Sequence, residues 1–421
     1  MIPLESLMLS HSKPLLKQEC SSLFVNLCSC SPAFPLKIHM DGSAASGIVR
    51  SSSSCNGRIT CFSRSRSRSR CSSLPPNHNN NNSGGGIDGS ISLEEWQGWG
   101  TNSPVPSMVI DAIHYLKAFE RENDILLSFG GNLGRLSGEF KVEEDKKHRA
   151  TYDALAASDI KFQFYSARQI ACRLLGSRGY LCQKCWLPHQ DCMCSKLQPC
   201  ALWRGIKFWI YMHPKDFLRQ NNTGKLLWQV FGVQAATLCL FGVVEHEDLM
   251  WNDFKRAGNN KVWCLYPNKS GDPKTVKDHF SQAAPQAGHC APGMTNSDDI
   301  LHFILIDGTW NNSGAMFKRL KDRAKLVWGE DDIACISVTT GASAMHKLRP
   351  QPSWDRTCTA AAAAGLLSEL QQLPQFSPYC LDKQGEILED ALESLLEALT
   401  TRRLRMGRSI TRKMRVNTQI S

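Results

Sequence analysis

The pattern of apolar and polar positions changes near Cys172. From there to Leu399, short apolar runs alternate with segments whose apolar residues recur at helical spacing. Ile206–Tyr211, Ala236–Val244, Val262–Tyr266, Ile300–Ile306 and Ile333–Val338 read as strands. Gly224–Val233, Ala315–Leu326, Thr359–Leu370 and Glu386–Leu399 read as helices, the last with Ile387, Leu388, Ala391, Leu395, Leu396 and Leu399 on one stripe. Ile300–Ile306 is apolar almost throughout, as in a strand buried on both faces. Such alternation predicts an α/β fold with a largely parallel sheet. Leu226–Val244 is uncharged over 19 residues, long enough to span a bilayer. Gln229, Gln234 and Thr237 interrupt it and Gly232 splits it, so a buried helix followed by a central strand fits better and no membrane association is expected.

Upstream, Met108–Arg121 carries Ile110, Ile113, Leu116 and Phe119 at helical spacing. Asp124–Phe129 reads as a short strand or turn. Gly130-Gly131-Asn132-Leu133-Gly134 reads as a glycine turn, because it lacks the G-x-G-x-x-G spacing and no clear helix follows. Lys141–Arg149 is a charge run, expected to be a solvated face. We therefore expect a helical extension over 91–171, a domain over 172–400 and a polar insertion at Asp272–Asp299.

Composition adds a leader and a partner class. Residues 1–75 hold 19 Ser, nine Lys+Arg and three Asp+Glu, the Ser-rich, acid-poor balance of an organelle transit peptide. The Arg-Ser alternation from Ser63 to Arg70 reads instead as a disordered nucleic-acid or nuclear-targeting tract. Asn77–Gly86 is a linker with no apolar content. Residues 1–90 are thus expected to be disordered, with a plastid or mitochondrion favoured over nucleus or cytoplasm. The net charge of +10 favours an anionic partner without separating nucleic acid from a membrane surface. Of the 18 cysteines, six precede residue 75 and twelve follow residue 170. The chain is too long for a disulfide scaffold, so clustered cysteines point to metal.

Cys182-x2-Cys185-x6-Cys192-x-Cys194 places four thiols within 13 residues, a spacing that suits tetrahedral Zn²⁺ in a closed structural site. His189, between the pairs, could replace one of them. Leu305-Ile306-Asp307-Gly308-Thr309-Trp310 ends the most apolar strand, where open α/β sheets bind ligands. Those residues read equally as a helix start with Asp307 or Thr309 as N-cap. Arg402, Arg403, Arg405, Arg408, Arg412, Lys413 and Arg415 follow the last helix without an acid, in a basic tail spanning 401–421 built for phosphates or simply solvated.

In this context Asp307-Gly308-Thr309-Trp310 resembles the D-x-T-W signature of the DTW-domain proteins, which are tRNA-uridine aminocarboxypropyltransferases distantly related to the knotted SPOUT methyltransferases. Further matches follow the family's order: the cysteine knuckle, His213-Pro214-Lys215-Asp216, Asn222-Thr223-Gly224, Leu265-Tyr266-Pro267, and Leu348-Arg349 ahead of Thr357-Cys358-Thr359-Ala360-Ala361. The resemblance covers about residues 172–400. It departs where many members carry Glu and this chain has Ala360.

The resemblance implies a SPOUT-like or Rossmann-like core that transfers the 3-amino-3-carboxypropyl group of S-adenosylmethionine (SAM) to uridine N3 in tRNA. Asp307 would be the general base. Leu265, Tyr266, Pro267, Thr309, Trp310, Leu348 and Arg349 would hold the cofactor, while Zn²⁺ would be structural. Lys215, Arg219, Lys225, Arg402, Arg403, Arg405 and Arg408 are the cations expected on tRNA. His213 reads equally as a binder or a capped strand-end residue. The alternatives are a SPOUT-type RNA methyltransferase and a noncatalytic zinc-knuckle RNA-binding protein. Nothing in the sequence implies an obligate protein partner.

Overall fold

Two nearly uninterrupted apolar strands form the centre of the molecule. β1 (Ile206–Met212) and β4 (Leu301–Asp307) pair in parallel, from Ile206 opposite Leu301 to Met212 opposite Asp307. The computed structural model describes residues 104–130, 136–177, 180–267, 274–280, 300–329, 332–339, 343, 345, 348 and 357–408. With β2 (Ala236–Leu240), β3 (Val262–Leu265) and β5 (Ala334–Ile336), the strands make a five-stranded, all-parallel sheet in the order β2-β1-β4-β3-β5. The fold is α/β as expected, but this order differs from the 3-2-1-4-5 order of the dinucleotide-binding fold.

Side chains alternate across the sheet. Phe208, Ile210, Phe303 and Leu305 face one core, shared with α4 (Lys225–Phe231), α8 (Thr359–Gln371) and α9 (Leu381–Arg405). Trp209, Tyr211 and Ile304 face the other, shared with α5 (Val244–Ala257) and α7 (Trp310–Trp328). A buried carboxylate braces that second layer. Glu247 accepts from Tyr211 Oη at 2.7 Å and from Arg319 Nε and Nη2 at 2.9 and 2.8 Å.

Among the described residues, three α-helices precede the sheet: α1 (Pro104–Glu122), α2 (Gly138–Ala154) and α3 (Ser158–Gly176). α3 crosses the boundary expected at 171/172, and its Phe164, Ile170 and Leu174 are buried in the same core as the sheet. The charge run Lys141–Arg149 lies within α2. Ala236–Val244 is not one strand: β2 stops at Leu240, Gly242 takes φ 81°, and α5 begins at Val244. The described part of the 272–299 insertion is not polar throughout. Its short helix α6 (Val276–Phe280) buries Val276 and Phe280, the latter ring 4.8 Å from that of Trp263. No helix among the described residues is long and apolar enough to cross a membrane. The expected leader and linker at 1–90, the glycine turn at 131–134, most of the insertion and the basic residues beyond 408 lie outside the described residues.

Candidate active site

Strand alternation puts Asp307 on the same face as Phe303 and Leu305, beneath the start of α4. Its carboxylate is buried, and its main-chain carbonyl accepts from His213 N–H at 2.8 Å, extending the β1–β4 pairing by one residue. The side-chain amide nitrogen of Asn222 donates to both carboxylate oxygens, at 2.9 and 3.0 Å. Asn222 Oδ1 in turn accepts the backbone N–H of Lys225 at 3.0 Å, so the amide is fixed at both ends. Between them, Gly224 leaves room for the acid: a Cβ there would lie 1.8 Å from Asp307 Oδ2. The Asn222-Thr223-Gly224 step is therefore the seat of Asp307.

Asp307 opens onto a cleft at the carboxyl ends of β3, β4 and β5. Leu265, Tyr266 and Pro267 line it at the end of β3, Gly308 and Trp310 after β4, and Ser337 and Val338 after β5. Cys358 and Thr359 add the N-terminus of α8, whose N-cap Cys358 makes no side-chain cap bond. Of the expected cofactor residues, the structure brings Leu265, Tyr266, Pro267 and Trp310 together. Thr309 is the N-cap residue of α7, with its carbonyl accepting from Asn312 and Ser313 N–H at 2.8 and 2.9 Å and its hydroxyl making no cap bond. Thr309 is not among the residues lining the cleft. Leu348 is also displaced from the expected position. It is buried beside Arg402 and Arg403 in a neighbouring depression, and Met345 lines the cleft instead. Arg349 lies outside the described residues. Both readings of the D-G-T-W segment hold in part, since it is a helix start and the rim of a cleft.

His213 is buried. Its Nδ1 accepts the Lys215 N–H at 3.1 Å, and burial pushes the ring down to about 4. It is a strand-end histidine, held neutral.

The four knuckle sulfurs lie within 4.8 Å of one another and could hold a metal ion. Cys182 Sγ is 3.7 Å from Cys194 Sγ, and Cys185 Sγ is 3.8 Å from Cys192 Sγ. A tetrahedron with Zn–S bonds of about 2.3 Å has edges of ~3.8 Å, so the spacing fits zinc. Hydrogen bonds from the Cys185 and Cys194 thiols hold Cys182 far below the usual thiol range and push those two up. His189 is not in the ligand group. Trp186, at φ 59° and fully buried, anchors the knuckle between Phe217 and Trp228, each ring 5.5 Å away.

The expected RNA cations divide. Lys225 is a correction: it is fully buried, and its ammonium donates to the carbonyls of Cys185 and Gln220 at 2.5 and 2.7 Å, out of reach of a polyanion. Burial lowers it to about 7, while the knuckle thiols and Asp307 pull it upward. Lys215 lies over the Tyr165 ring at 5.7 Å, and Arg219 pairs with buried Asp216. Arg402, Arg403 and Arg405 are not in a tail, because α9 runs to Arg405. Asp191 of the knuckle holds Arg405 Nη2 at 2.8 Å and Arg402 Nε at 3.3 Å. Arg402, Arg403 and Arg408 line a depression that shares Asn221 with the cleft.

Asn222 escaped sequence reasoning as a site residue. It was visible only as one letter of a motif, since its partner lies 85 positions away. A family model described as the DTW domain matches residues 179–404. No solved structure matches the chain.

Proposed function

Since this chain belongs to the DTW-domain family, which is linked to tRNA modification, we propose that it transfers the 3-amino-3-carboxypropyl group of SAM to N3 of a tRNA uridine. The observation carrying this reading is a buried carboxylate, Asp307, held on both oxygens by Asn222 at the rim of a cleft formed by strand ends.

In the proposed step, uridine N3 gives its proton to the Asp307 carboxylate and forms a bond to the γ-carbon of the methionyl arm. The bond from that carbon to sulfur breaks, its electron pair stays on sulfur, and the neutral thioether methylthioadenosine leaves. Which of the three sulfonium carbons reacts is a matter of alignment, because displacement is in line. Leu265, Tyr266, Pro267, Ile336 and Val338 supply apolar walls for the nucleoside part. The N–H groups at the start of α8 suit the methionyl carboxylate. Trp310, at the rim, offers a face on which the target base can stack. Arg402, Arg403 and Arg408 are the cations best placed for the tRNA backbone. Cys182, Cys185, Cys192 and Cys194 would hold a closed structural zinc that takes no part in the transfer.

The test is mass spectrometry of tRNA nucleosides after incubation with SAM and the purified protein. The proposal expects a uridine heavier by one aminocarboxypropyl group, with methylthioadenosine as co-product. S-adenosylhomocysteine with a methylated nucleoside would mean a methyltransferase. Tight tRNA binding with unmodified nucleosides would mean a noncatalytic binder.

A further inference from the structure

We infer that Lys225 is a positioning residue: its buried side chain ties the metal knuckle to the segment that seats Asp307, which makes the knuckle part of the active-site scaffold. Among the described residues Lys225 is the only buried Lys or Arg. Taking an ammonium out of water is costly unless both its hydrogens and its charge are met, so packing alone would favour Leu or Met. Here the hydrogens are met on two sides, by the Cys185 carbonyl inside the knuckle at 2.5 Å and by the Gln220 carbonyl in the loop after β1 at 2.7 Å. The same residue's backbone N–H donates to Asn222 Oδ1 at 3.0 Å, and the amide nitrogen of Asn222 forks onto Asp307. An unbroken series of contacts thus runs from the metal-ligating loop to the carboxylate.

The coupling is mechanical. The ammonium fastens the Cys185 carbonyl of the knuckle to the Gln220 carbonyl, two residues before the Asn222 that forks onto Asp307. Removing the ammonium loosens the metal-ligating loop and the seat of Asp307 together, whereas removing the carboxylate charge alone leaves the knuckle tied.

The coupling rests on the proposed reaction only for what Asp307 does, so its test uses neither SAM nor tRNA. Zinc-loaded wild type, K225M, D307N and the double variant are mixed with a chromogenic chelator, and the rate of zinc release is read. K225M is expected to release zinc roughly fivefold faster or more, D307N to release it at about the wild-type rate, and the double variant to match K225M. K225M that releases zinc at the wild-type rate overturns the coupling. Should K225M fail to fold, Asn222→Ala decides: a loosened seat should speed zinc release, and a wild-type rate overturns the coupling. On tRNA, K225M should lower kcat while leaving KM for tRNA near wild type. A zinc cycle that behaves as expected in a protein that leaves tRNA unmodified would retain the coupling and remove the transferase reading.

Discussion

Asn222 and Asp307 are 85 positions apart in sequence, and the amide nitrogen of one lies 2.9 and 3.0 Å from the two carboxylate oxygens of the other. The space for this fork is Gly224, whose hydrogen a methyl cannot replace without meeting Asp307 Oδ2 at 1.8 Å. Gly224 has φ −59°, an ordinary helical value, so alanine there strains no backbone. Gly224→Ala should therefore act through displacement of the acid. Overpacking of this kind costs ~1–3 kcal/mol. The variant should fold and bind tRNA, yet lose about a hundredfold or more in kcat. Wild-type kcat in Gly224→Ala would show that the acid's position does not matter to the reaction.

The knuckle should hold about one zinc per chain, because its four sulfurs form one tetrahedral site. Cys182→Ser or Cys194→Ser should lose the metal and lower thermal stability together, since ligand binding of this kind is folding free energy. Elemental analysis of the purified protein settles the stoichiometry. Metal-free wild-type protein with unaltered melting would leave four clustered thiols and no metal site.

How much was legible in the sequence follows from what each element buries. Ile300–Ile306 could be placed within one residue because a central strand is apolar on both faces. By contrast α2 buries only Glu144 and His148, so it carries no apolar stripe and read as a bare charge run. The run Ala236–Val244 looked continuous because Phe241 and Val243 are buried too, although Gly242 turns the chain between them. The last helix outlasts its apolar stripe because Asp191, on the knuckle, holds Arg402 and Arg405. At the site, the family motifs located Asp307, Leu265–Pro267 and Asn222-Thr223-Gly224. They gave no sign that the last of these grips the first, nor that Lys225 points inward. Such pairings are tertiary facts, carried by single polar residues with no periodicity to betray them.

The arginine depression gives a salt signature. Arg403 donates to the Leu348 carbonyl at 3.3 Å, and Arg408 is exposed beyond the end of α9. Removing one cation from the phosphate backbone should reduce the slope of log affinity against log salt by about one. Arg408→Ala is expected to weaken tRNA binding and flatten that slope while leaving SAM binding and zinc content intact. Truncation at 400 is a poorer test, because it also removes the ion pairs of Arg402 and Arg405 with Asp191. An unchanged slope in a filter-binding titration of Arg408→Ala would remove this residue from the interface.

Three buried histidines set an acid limit. His148, His213 and His302 are each pushed down to about 4, with burial the leading cause. In each, Nδ1 accepts a hydrogen bond, from Arg168 Nε at 2.7 Å, Lys215 N at 3.1 Å and Trp209 Nε1 at 3.0 Å respectively. A proton on that nitrogen would abolish the bond. Because the folded pKa lies below the unfolded one of about 6.5, the unfolded chain binds more protons between those values. Stability is thus full above about pH 6.5 and falls as pH drops toward 4. The urea midpoint should decrease between pH 7 and pH 5. A midpoint that is flat or rises over that interval would contradict the neutral assignment.

Asp307 carries the last and most direct test. It stands where β4 ends, buried, forked by Asn222 and open to the cleft. Uridine N3 is a poor nucleophile until its proton leaves, and among the signature residues only Asp307 can accept one. Asp307→Asn keeps size and much of the hydrogen bonding while removing basicity. The variant should stay folded, zinc-loaded and able to bind tRNA, and should lose roughly two to four orders of magnitude in rate, the usual span for a lost general base. Raising the pH should recover part of that rate, because solvent then supplies more of the N3 anion unaided. The wild type should gain less over the same interval, since its carboxylate already takes the N3 proton. Nucleoside mass spectrometry across a pH series measures both. A wild-type rate in Asp307→Asn would leave the carboxylate as a brace for α4, and the proton acceptor would have to be sought elsewhere in the cleft.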